Sequence, residues 1–104
     1  MAYDLAILNA EGAPYRQVSI GVDDHFRLIA IAKDIGLPLI QRFSDYYADA
    51  EFLPTEMDGL QAELMLVRDN MTSTKQVVPS WMANAIELTA EARSRLSGIV
   101  GIAD

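Results

Sequence analysis

Apolar and polar positions alternate at the start of the chain and then recur at helical spacing. From Tyr3 to Asn9, Leu5 and Ile7 fall on one side, Ala6 and Leu8 on the other. Both sides are apolar, which predicts a strand covered on both faces. Asn9-Ala10-Glu11-Gly12-Ala13-Pro14 carries turn chemistry. From Tyr15 to Val22, Val18, Ile20 and Val22 are in phase against Gln17, Ser19 and Gly21. The two runs predict a β-hairpin with a loop of about four to six residues. Asp23 and Asp24 are candidate N-caps for a first helix over about Asp24 to Ile35. Leu28, Ile29, Ala32 and Ile35 form its stripe, and Gly36 ends it. A short second helix is expected from Pro38 to Tyr47, with Leu39 or Ile40, Phe43, and Tyr46 or Tyr47 turned inward.

Ala48 to Leu53 reads as a loop. Pro54 opens a third helix, where Met57, Leu60, Leu64 and Val67 repeat at steps of three, four and three, reaching about Arg68. Asp69 to Pro79 is polar and predicts an exposed loop. Ser80 is a candidate N-cap for a fourth helix, Trp81 to about Ser97, with Met82, Ala85, Ile86, Thr89, Ala92 and Leu96 inward and Gly98 as the stop. Ile99 to Ala103 is apolar and β-branched, which predicts a strand pairing with the hairpin. The expectation is one α+β domain over residues 1–104: an N-terminal β-hairpin, four helices and a C-terminal strand completing a small sheet.

Composition adds that this is a globular chain: 51% of its 104 residues are hydrophobic and 22% charged. It has no cysteine, which removes disulfides and thiolate metal sites. The first residues lack a basic region followed by an apolar run, and no apolar stretch reaches the ~20 residues that cross a bilayer. The expected location is the cytoplasm.

Charge changes the picture more. The chain carries −7, and the segment from Phe43 to Asp69 holds seven acids against one base, Arg68, for a local −6. The bases are scattered, which disfavours nucleic acid and anionic membrane as partners and favours a basic protein. Within this segment Asp45, Tyr46, Tyr47, Asp49, Glu51, Glu56 and Asp58 are the candidate partner-binding residues. Adjacent helical residues point about 100° apart, so one tyrosine should pack and the other should be exposed. An exposed tyrosine among carboxylates suits a protein-binding surface.

Candidate catalysis is thin. His25 is the only histidine. Asp23-Asp24-His25 is poorly spaced for one metal ion, and a helix start accounts for both aspartates, so His25 is expected to be structural or superficial. Asp45, Tyr47, Asp49, Glu51 and Glu56 fall at positions one, three, five, seven and twelve of a calcium loop. Tyr47 is a wrong ligand there, Ala50 replaces the turn glycine, and Pro54 breaks the frame. No phosphate loop, nucleophile elbow or serine triad is present. The expectation is no catalytic residue, no metal and no cofactor.

Tyr3-Asp4-Leu5, Val18-Ser19-Ile20-Gly21-Val22 before Asp24-His25, Ile31-Ala32-Lys33, Leu37-Pro38-Leu39, Arg42-Phe43, Ser44-Asp45-Tyr46-Tyr47-Ala48-Asp49-Ala50-Glu51-Phe52 and Ile102-Ala103-Asp104 follow in an order that resembles a family of small free-standing bacterial proteins. Some of these resemble immunity proteins that neutralise a toxin made by the same cell or its siblings. The most specific part is Ser44 to Glu51. The resemblance implies a cytoplasmic protein with a toxin partner and nothing catalytic. A small metal-dependent hydrolase built on His25 is one alternative; a structural or regulatory homo-oligomer is the other.

Overall fold

The computed structural model describes residues 2–103. Four strands form one antiparallel sheet in the order β2-β1-β4-β3. β1 spans Ala2–Leu8 and β2 spans Pro14–Gly21. Their turn is held by Asn9, whose Oδ1 accepts the N–H groups of Glu11 and Ala13, both at 3.0 Å. α1 spans Val22–Ile35 and ends on a left-handed Gly36. Its N-cap is Gly21, so Asp23 and Asp24 lie inside the first turn, where the helix dipole still favours them.

The expected second helix is absent, which leaves three α-helices among the described residues. Ile40–Phe43 forms a single 3₁₀ turn. Its first N–H groups are taken by Glu63, whose carboxylate accepts from Leu39 at 3.1 Å and Ile40 at 2.9 Å. Beyond it, Asp45 Oδ1 accepts the Tyr47 N–H at 2.9 Å. That local bond competes with helix continuation.

The expected loop after Tyr47 contains a strand, β3, at Ala50–Phe52, paired with β4 at Ile99–Ile102. Pro54–Glu56 is a second 3₁₀ turn leading into α2, Met57–Ser73. α2 outruns its expected end at Arg68 because Met71 continues the buried row of Met57, Leu60, Leu64 and Val67. The exposed loop is correspondingly shorter, 74–79. α3, Ser80–Ser94, is capped by Pro79 instead of Ser80 and stops before Gly98. The reversal occurs at Leu96, which adopts φ 55° and points to solvent, 84% exposed.

All three helices pack on one face of the sheet. Tyr3, Leu5, Ile7, Val18, Ile20, Phe52 and Ile99 meet the helices there in one buried cluster. The opposite face is open, contrary to the expected double coverage of β1. Register places Asp4 beside Ser19 and Ile102, and Ala6 beside Gln17 and Val100. Ala6, in the central strand between those two neighbours, is buried even so. No helix among the described residues is long and apolar enough to cross a membrane. Asp104 lies outside the described residues.

Candidate functional site

The turn after the first 3₁₀ segment is fastened from below. The Tyr3 hydroxyl donates to the Ala48 carbonyl at 3.0 Å, and Asp49 Oδ1 accepts the Ala103 N–H at 2.7 Å. These bonds tie the turn to β1 and to the end of β4. Tyr46 is 3% exposed and packs in the core, whereas Tyr47 is 73% exposed. The tyrosines divide their roles as expected, but through a non-helical turn.

Beneath Tyr47 lies a ladder of rings. Tyr47 meets Tyr46 edge-on at 5.3 Å, Tyr46 meets His25 edge-on at 5.2 Å, and His25 meets Phe26 edge-on at 6.1 Å. Phe26 is exposed at the far end of the ladder. No sequence signal singles it out: it lies off the helix stripe, and an isolated exposed apolar residue is ordinary.

The seven candidate residues do not form one surface. Asp45, Tyr47, Asp49 and Glu51 are exposed on the turn and on β3. Among the described residues, none of the three carboxylates has a lysine or arginine at ion-pair distance. Glu56 and Asp58 are engaged elsewhere. Glu56 pairs with Arg42 and accepts the Leu53 N–H at 2.8 Å, and Asp58 pairs with Arg93 at 2.6 Å. Arg42 holds the Glu56 carboxyl below its ordinary range, helped by the Leu53 bond. The Tyr3 hydroxyl is pushed up to about 12 by burial, then by Asp49 and Asp45. A negative field thus extends from the turn into the adjoining core.

Asp49 and Glu51 also border an open concavity of about 360 Å³ on the helix-free face of the sheet. Leu8, Pro14, Val100 and Ile102 provide its aliphatic lining. Those residues come from three strands, so only the sheet pairing brings them to the acidic turn.

His25 takes no part in an exposed site. It is fully buried, and its Nε2 lies 2.8 Å from the Phe43 carbonyl. That bond requires the hydrogen on Nε2. Asp24 is turned away to accept from Trp81 Nε1 at 2.9 Å and from Arg27 at 3.1 Å. Among the described residues no three His, Cys, Asp or Glu side chains are placed to hold a metal ion. Compared with protein-family models, curated proteins and solved structures, the chain matches none.

Proposed function

We propose that this chain is a non-catalytic binding protein of the immunity type, acting in the cytoplasm and neutralising a basic toxin domain by covering its active site. The observation that carries the reading is Tyr47, solvent-exposed in a segment whose exposed carboxylates, Asp45, Asp49 and Glu51, have no cationic partner among the described residues. Unneutralised acids accelerate encounter with a basic surface. The aromatic ring supplies contact area at little entropic cost. The aliphatic concavity beside Asp49 and Glu51 offers the dry centre that such an interface needs, with the acids as its rim. Tyr46 supports the surface from beneath, and Glu56 and Asp58 secure the start of α2.

The test uses a toxin domain encoded beside this gene, with binding kinetics measured against ionic strength. Glu51→Lys should slow association and flatten its salt dependence, because the Glu51 side chain makes no hydrogen bond or ion pair among the described residues that its loss would break. Tyr47→Ala should accelerate dissociation by on the order of 10-fold or more, the scale of an interface anchor. A toxin domain bound with unchanged rates by both variants would sink the assignment of this surface.

A further inference from the structure

β2 lies at the opposite edge of the sheet from β3, and its outer side pairs with no strand among the described residues. Arg16, Gln17, Val18 and Ser19 line a groove of about 400 Å³ whose other wall is Ser80, Trp81 and Asn84 of α3. Side chains of successive strand residues point to opposite faces. A groove touching four in succession therefore follows the strand's edge. Within that span the backbone makes no hydrogen bond to any element other than β1 among the described residues. Alternate residues of an antiparallel edge strand turn both N–H and C=O outward, here into the groove.

We propose that this groove takes an extended segment of a second polypeptide, which adds as a fifth strand beside β2 and carries lysine or arginine. The backbone ladder selects an extended chain. Charge selects a basic one. Each end of the groove is bonded to carboxylates: Ser19 to Asp4, Trp81 to Asp24, and Arg16 to Glu87 and Glu91. Arg16, Arg27 and Arg95 oppose three of these four acids, and Asp4 has no cation at ion-pair distance among the described residues. Glu87 is held loosely, at 3.5 Å with its side chain 67% exposed, and is free to receive an incoming cation. A second copy of this chain is the poorer occupant, since each brings −7 to the contact. The groove is independent of the Tyr47 surface, which lies across the sheet.

The experiment pans displayed random peptides of roughly ten residues, long enough to span a strand, against the whole chain. Binding of the selected peptides is then mapped by amide NMR. Enriched peptides should be basic, shift the amides of Arg16 to Ser19 and Ser80 to Asn84, and bind less well in high salt. N-methylation at alternate peptide residues, or Asn84→Arg at the exposed groove wall, should weaken binding at least ~10-fold, as expected when ladder bonds or the space for them are lost. Tyr47→Ala should leave it unchanged. No enrichment above background would overturn the proposal. So would peptides that shift Tyr47 to Glu51 instead, peptides indifferent to N-methylation, or a doubled solution mass abolished by Asn84→Arg.

Discussion

His25 illustrates how one residue links the core to the exposed turn. Its Nε2 must donate to the Phe43 carbonyl, which leaves Nδ1 buried and without a hydrogen-bond partner among the described residues. Protonation would place a charge there, among Tyr3, Phe43 and Tyr46. Burial accordingly lowers the imidazole pKa, although the Phe43 bond and the Asp45 charge pull the other way. A lowered pKa means that the unfolded chain binds the proton more tightly. The stabilising contribution is complete above the unfolded value of about 6.5 and is lost as pH falls toward the folded value. Urea melts should therefore show falling stability below about pH 6.5. His25→Gln keeps a donor for Phe43 but does not titrate, so it should flatten that part of the profile; an unchanged slope would remove His25 as its source. The Asp-Asp-His sequence signalled a helix start correctly. It could not signal burial, because the rings that enclose His25 come from β1 and from the turn after α1.

At the scale of elements, the strongest periodicities were legible and the shortest elements were not. Met57, Leu60, Leu64 and Val67 announced α2, and the alternating residues of β2 announced the hairpin. β3 has three residues and no usable period; it exists because β4 pairs with it. Its clearest trace is Gly98, whose apparent role as a helix stop concealed a close approach. A Cβ at this position would lie 2.1 Å from the Phe52 carbonyl oxygen. Gly98→Ala must displace β3, and we expect a loss of roughly 1–3 kcal/mol, the usual range for overpacking. A stability unchanged from wild type would show that β3 yields freely. The 3₁₀ turn was likewise hidden, because its capping carboxylate, Glu63, lies 23 residues downstream of Ile40 on α2. Glu63→Ala leaves the N–H groups of Leu39 and Ile40 without that acceptor and should cost about 1–3 kcal/mol. Glu63→Gln, which retains one acceptor oxygen, should fall between the two in the same denaturant series.

At the scale of the whole molecule, the acidic segment visible in the sequence is divided by the fold. Arg42, just outside that segment, neutralises Glu56, and Arg93, much later in the chain, neutralises Asp58. Asp45 and Asp49, on the turn bearing Tyr47, and Glu51, on the strand that follows it, have no cation at ion-pair distance among the described residues. Only tertiary structure could make that division, since both arginines reach their partners across the fold. Carboxylates left unopposed on a chain of −7 repel one another and the rest of the molecule. Optimising the free protein alone would place a cation among them. Glu51 is the cleanest place to test this, because it is exposed and makes no side-chain hydrogen bond or ion pair among the described residues. Glu51→Lys should therefore raise stability, by on the order of a few tenths of a kcal/mol, as expected for an exposed pair. The gain should be largest at low ionic strength and vanish near 1 M salt, where screening reaches about 3 Å. The same substitution should slow association with a basic partner. Stabilisation together with slower binding is the signature of a charge retained for recognition. Loss of stability at every salt concentration would instead assign Glu51 a structural role and leave the binding surface to Tyr47 and the aliphatic concavity.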